Sequence, residues 1–187
     1  MYSLMEESLR VMNAKIEVMI SEEEIAKRVL ELAEIINNDY RGKSVKVICV
    51  LTGGFIFMAD LVKRLDLDLR IDFIDLSSYG SGTESSGNVK IVRDLKTSIT
   101  DEHVLVIEDI VDTGRSLNRL KNHIGTLNPA SFKLCTLLDK PSRRESELSH
   151  LKPDYIGFVI ENEFVVGYGL DYDQRYRNLP FIGKMVQ

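Results

Sequence analysis

Val104-Leu105-Val106-Ile107-Glu108-Asp109-Ile110-Val111-Asp112-Thr113-Gly114-Arg115-Ser116-Leu117 carries an apolar run into two adjacent carboxylates and then through an Asp-Thr-Gly turn. Val104 to Ile107, short and continuously apolar, predicts a strand buried on both faces, as a parallel sheet requires. The turn predicts a helix start, with the helix over Leu117 to Leu127. In open α/β sheets, ligands bind where such a strand ends.

Working outward, the same alternation recurs. Ser21-Glu22-Glu23-Glu24 is a capping box, and apolar residues at Ile25, Val29, Leu32 and Ile36 keep helical spacing until Asn37, Asn38 and Gly42. Val45 to Leu51 predicts a second buried strand, broken by Gly53-Gly54 before a helix over Phe55 to Leu65. Leu67 to Leu76 and Phe132 to Leu138 read as further strands, while Tyr155 to Ile160 and Phe164 to Tyr168 are expected to form a hairpin at one edge. Strand-helix alternation predicts an α/β fold, a mainly parallel sheet flanked by helices on both faces. No linker or repeat divides residues 1–187, which read as a single domain.

Composition narrows the function. The 187 residues are 44% hydrophobic and 28% charged, with a net charge of -5 and a pI near 5.3. Proteins that grip nucleic acid usually present a basic face, so no nucleic-acid partner is expected. No stretch approaches the ~20 apolar residues of a membrane span, and residues 1–12 lack a secretory pattern. Cys49 and Cys135 each sit in an apolar run and read as buried free thiols, with a disulfide as the alternative. A cytoplasmic setting is expected. His103, His123 and His150 have no zinc spacing, and no phosphate-loop or dinucleotide fingerprint occurs.

The central stretch has a chemical reading. Thr113 to Leu117 offers backbone amides, two hydroxyls and the positive end of a helix dipole, which suit a phosphate. Glu108 and Asp109 would repel a phosphate but suit hydroxyl donors. Phosphate on one side and a diol on the other describe a ribose 5-phosphate. Taken singly, Asp112-Thr113 reads equally as a helix cap, and the two acids as solvated loop residues. Ser77 to Asn88, SSYGSGTESSGN, cannot bury apolar area and reads as either a surface insertion or an active-site lid.

This fourteen-residue stretch resembles the phosphoribosyl pyrophosphate (PRPP) motif of type I phosphoribosyltransferases. From about Lys15 onward the chain resembles the hypoxanthine-guanine phosphoribosyltransferases in particular. The resemblance implies transfer of phosphoribose to a 6-oxopurine, giving IMP or GMP and pyrophosphate, with Mg2+ as cofactor. It implies that Glu108 and Asp109 hold the ribose hydroxyls, that Thr113, Gly114, Arg115 and Ser116 hold the 5-phosphate, and that Asp112 is the general base. Thr52, Gly53 and Gly54 fall on the family's pyrophosphate loop, where the first peptide bond can be cis and many relatives carry Lys in place of Thr52. Ser78 and Tyr79 fall on the lid, which favours that reading of the glycine-serine loop, and Arg177 on a pyrophosphate contact. Lys140, Phe164, Val165 and Asp171 fall on the purine subsite, and Glu108, Asp109 and Asp171 are the implied metal ligands. Asp139 and Asp173 are further acids that nothing in the sequence singles out. A small hood from the N-terminal segment and about 140–187, and a homodimer or homotetramer, complete what the resemblance implies. The alternatives are a xanthine-preferring enzyme and a PRPP-sensing regulator that binds without turnover.

Overall fold

A computed structural model describes residues 15–78 and 89–186. In chain order the elements are β1 (Lys15–Ile20), α1 (Glu22–Asp39), β2 (Ser44–Leu51), α2 (Phe55–Val62), β3 (Asp68–Ser78) and β4 (Val89–Arg93). There follow β5 (His103–Val111), α3 (Arg115–Thr126), β6 (Ser131–Asp139), β7 (Tyr155–Val159), β8 (Val165–Val166) and β9 (Ile182–Val186). Six strands form the main sheet in the order β4-β3-β2-β5-β6-β7, and β1-β9-β8 form a second one. In the main sheet only the β3–β4 pair is antiparallel. Among the described residues, no helix is long and apolar enough to cross a membrane.

Side-chain alternation sorts the strands onto two cores. From β2, Val45, Val47 and Cys49 join Ile25, Val29, Leu32 and Ile36 of α1 and Phe57 and Leu61 of α2. Ile48 and Val50 face the other way, packing with Leu117, Leu120 and Ile124 of α3. β5 divides likewise, Leu105 and Ile107 to the first core and Val104 and Val106 to the second. The expected layers, helices on both faces of a mainly parallel sheet, are therefore present. The capping box is present too: the Glu24 amide donates to Ser21 Oγ at 3.2 Å, and the Ser21 amide to Glu24 Oε2 at 2.8 Å. Cys49 and Cys135 are buried free thiols, and burial raises the Cys49 pKa to about 12.

Two expectations fail. β5 does not stop at Ile107: it pairs with β6 through Glu108↔Thr136, Ile110↔Leu138 and Val111↔Asp139. The paired acids therefore lie within a strand, held by its ladder, and are not solvated loop residues. The expected edge hairpin is also absent. β7 pairs in parallel with β6, whereas Val165 and Val166 pair with Lys184 and Gly183 of β9 in the other sheet. Local apolar patterning cannot distinguish a partner five residues away from one about twenty away, and here the distant partner wins.

Candidate active site

The carboxyl ends of β2 and β5 open into a cleft of about 380 Å3. Its walls include Thr52 and Gly53, Glu108 and Asp109, Asp112 to Gly114, Ser116, Asp171 and Arg177. Residues from widely separated stretches of the chain thus share one cavity.

Glu108 is buried, and its pKa is raised well above the ordinary carboxylate value, first by burial and then by the negative charge of Asp109. A buried carboxylate beside a second acid needs hydroxyl donors or a cation to satisfy it. The Ile110 amide supplies one bond, to Asp109 Oδ1 at 2.8 Å. Gly53 lies hard against the other oxygen, since a Cβ there would come within 1.5 Å of Asp109 Oδ2. The preceding Leu51–Thr52 peptide bond is cis. Gly169, with φ +104, covers the loop from above, because a Cβ on it would come within 2.1 Å of the Gly53 carbonyl oxygen. The Gly167-Tyr168-Gly169 spacing was the available signal for this close approach, but sequence gave it no role.

The turn after β5 differs from a simple side-chain cap. Gly114, at φ +91, occupies the N-cap of α3, and neither Asp112 nor Thr113 caps it. The Thr113 hydroxyl stands 3.5 Å from the Arg115 amide, at the limit for a hydrogen bond. The positive end of α3, with Gly114 and Ser116, opens onto the cleft. Arg115 is different: its side chain pairs with Glu145 at 2.5 Å and lines a separate groove. Of this residue only the backbone can belong with the turn.

Asp112 follows β5 directly, half-exposed, with Oδ1 3.3 Å from Arg143 Nε. Lys140 is next to it, since the Lys140 amide donates to the Val111 carbonyl at 3.0 Å. The Lys140 side chain is buried, and Nζ donates to the Glu163 carbonyl at 2.6 Å. Burial lowers its pKa from the ordinary lysine value, against the raising effect of Asp112. Phe164 remains half-exposed, edge-on to Tyr172 with 5.6 Å between ring centres, and Val165 is buried in β8. Lys140, Phe164 and Val165 do not line the cleft itself, although Lys140 adjoins it through the Val111 carbonyl.

Arg177 donates to the Gly169 carbonyl at 2.7 Å and pairs with Asp171 Oδ1 at 2.7 Å. The other Asp171 oxygen accepts from the Gln174 amide at 2.8 Å. Among the described residues no group of three acids, histidines or cysteines is gathered to hold an ion. Glu108, Asp109 and Asp171 do not form a cage of their own, and Asp171 is engaged with Arg177. Such a donor set still fits magnesium, which commonly takes one or two carboxylates together with substrate oxygens and waters. Gly54 packs under the loop near the Val50 carbonyl and not in the cleft wall. Ser78 ends β3, and Tyr79, with the rest of the expected lid, lies outside the described residues.

Residues 19–173 match the phosphoribosyl transferase domain. The chain belongs to the phosphoribosyltransferase family. It is 49% identical over 166 residues to the hypoxanthine-guanine phosphoribosyltransferase of Bacillus subtilis, covering 89% of this chain and 91% of that one. It is 52% identical over 166 residues to the bifunctional protein TilS/HprT of Listeria monocytogenes, of which it spans only 25%. A crystal structure of a hypoxanthine-guanine phosphoribosyltransferase from Bacillus anthracis, with HEPES in the active site, superposes with a TM-score of 0.86 at 47% identity. It covers 92% of this chain and 100% of that one. The six-stranded sheet with helices on both faces is thus the type I phosphoribosyltransferase fold, and the cleft lies at the carboxyl ends of its strands.

Proposed function

We propose that the protein is a purine-salvage phosphoribosyltransferase that moves the 5-phosphoribosyl group of PRPP onto hypoxanthine or guanine, releasing pyrophosphate. The observation that carries this reading is the juxtaposition, in one cleft, of buried Glu108 and its neighbour Asp109 with the turn that opens α3. The pair accepts the two ribose hydroxyls, and the turn from Thr113 to Ser116 takes the 5-phosphate. Between them, C1 of the sugar faces the purine.

In the reaction a purine ring nitrogen gives its electron pair to C1 while the bond from C1 to the pyrophosphate oxygen breaks. That bonding pair leaves with pyrophosphate. Asp112 accepts the proton that the base gives up at its other imidazole nitrogen. Arg177 and the backbone of the Thr52-Gly53-Gly54 loop receive the negative charge that develops on the leaving group. Glu108, Asp109 and Asp171 are the residues that would hold magnesium with the substrate, and the ion would neutralise pyrophosphate charge. Lys140 donates to the 6-oxo group, Phe164 stacks on the base and Val165 offers backbone groups to its edge. The sheet β1-β9-β8 serves as a small hood over the base, while β7, though it follows residue 140, belongs to the main sheet. The buried free thiols support a cytoplasmic setting, and a homodimer or homotetramer is part of the same reading.

Two tests bear on the PRPP subsite. Glu108→Gln with Asp109→Asn replaces two charged acceptors by neutral amides, so PRPP affinity should fall by roughly tenfold or more. Calorimetry with magnesium present reads this, and unchanged affinity would return the pair to a structural role. Gly53→Ala should act on the same subsite at little cost in melting temperature, because the Asp109 carboxylate can swing aside from the new methyl. It would then no longer point at the ribose, and PRPP affinity should drop by roughly tenfold. Unaltered PRPP affinity in folded Gly53→Ala would contradict the placement of Asp109 on the diol.

A further inference from the structure

Arg144 and Asp139 form an ion pair that is almost completely buried, with side chains 5% and 8% exposed. Buried pairs are costly unless further bonds satisfy them. Here the second bond is informative: Arg144 Nη1 donates to the backbone carbonyl of Asp112 at 2.8 Å, while Nη2 donates to Asp139 Oδ1. The carbonyl belongs to the residue that acts as general base in the proposed reaction.

The surroundings make Arg144 more than an isolated tether. Three successive carbonyls of the turn are held by one short segment. Val111 accepts from the Lys140 amide at 3.0 Å, and Thr113 from the Glu145 amide at 3.1 Å. The middle one, Asp112, is held by the Arg144 guanidinium. The outer two bonds are backbone bonds that any sequence can make. The middle bond depends on a single side chain. Arg144 also lies beneath Gly114, since a Cβ on that glycine would come within 2.8 Å of Arg144 Cδ. The stem thus supports the left-handed residue that opens α3, while the fork fixes the peptide plane on the other side of Thr113. Asp139, which orients the fork, directly precedes Lys140. One ion pair therefore ties the general base, the phosphate turn and the residue facing the 6-oxo group into a single register.

We propose that Arg144, oriented by Asp139, is a positioning residue for the reaction, setting the Asp112 peptide and with it the direction of the Asp112 carboxylate. The inference rests on the proposed activity. It also removes Asp139 from the acids available to magnesium, because its carboxylate is taken by Arg144.

The test compares Arg144→Lys with the unsubstituted protein. Lysine keeps a positive charge opposite Asp139 but lacks the planar fork that serves two acceptors at once. A melting temperature close to the parent's, a kcat lower by about tenfold or more, and a PRPP KM within about threefold are expected, since Glu108 and Asp109 are held by β5. A merely structural residue would not give that split. In an Asp112→Asn background, Arg144→Lys should cost almost nothing further, because both changes disable the same group. Factors that multiply across the two substitutions, or an unchanged kcat in folded Arg144→Lys, would overturn the role. Asp139→Asn should lower kcat in the same direction but less, since its amide oxygen still accepts. Amide hydrogen exchange at residues 112–116 gives a reading independent of activity. Faster exchange there in Arg144→Lys, with β2 and β6 unchanged, supports the proposal, and identical exchange contradicts it. If the unsubstituted protein forms no nucleotide from PRPP and a 6-oxopurine, the proposed activity fails, and the exchange result alone decides whether Arg144 holds the turn.

Discussion

Asp112→Asn is expected to lower turnover by about a hundredfold or more while leaving PRPP binding near the parent value. That is the usual scale for removing a general base. Asparagine keeps the shape and the carbonyl that Arg144 holds, so the turn stays in place and only the proton acceptor is lost. The carboxylate is well situated for the task. It is half-exposed at the end of β5, beside Lys140, and meets Arg143 at a long 3.3 Å. A proton acceptor already locked in a short ion pair would have to give up that bond first. Steady-state kinetics with hypoxanthine, paired with PRPP calorimetry, make the check. Parent-like turnover in purified Asp112→Asn would take Asp112 out of the mechanism.

Lys140→Ala should discriminate between bases. The ammonium is buried and bonded to the Glu163 carbonyl, which leaves donors for a second acceptor. Hypoxanthine and guanine supply one at the 6 position. Adenine offers an amino group there, and the buried cation gains nothing from it. Losing this charge-assisted bond should cost about 2–4 kcal/mol, or tens to hundreds-fold in kcat/KM for the 6-oxopurines. Use of adenine, already poor, should hardly change. Lys140→Arg is not expected to rescue, because the guanidinium is larger and planar. Equal losses for hypoxanthine and adenine would show that Lys140 does not read the 6-oxo group, and selection would then lie with backbone groups around Val165.

The sheet and its two flanking layers were legible because they follow from local pattern. Val47 to Leu51 and Val104 to Ile107 are continuously apolar, as a strand covered on both faces requires. The capping box at Ser21 and Glu24 was legible for the same reason, since its bonds span three residues. What depended on distant partners was not. A strand within Phe164 to Tyr168 was expected, but not its partner: β8 is only Val165–Val166 and pairs with distant β9. The extension of β5 through Glu108 and Asp109 is imposed by β6, whereas the acids alone suggested that the strand had ended. Residues of the cleft could be gathered from sequence only through resemblance, because stretches far apart in the chain supply them. Nothing in the sequence drew attention to Arg144, and only the tertiary fold shows that it is buried and turned towards Asp112. Arg115 is the converse, since its place in the motif gave no warning that the side chain pairs with Glu145.

The most direct test mixes purified protein, PRPP and magnesium with hypoxanthine, guanine, xanthine and adenine in turn, following absorbance and released pyrophosphate. The predicted result is IMP from hypoxanthine or GMP from guanine, with one pyrophosphate per nucleotide and little or no AMP. Rapid turnover of xanthine alone would move the base preference without moving the reaction. Binding of PRPP with no turnover of any base would contradict the account, and leave the cleft to a protein that senses PRPP without consuming it.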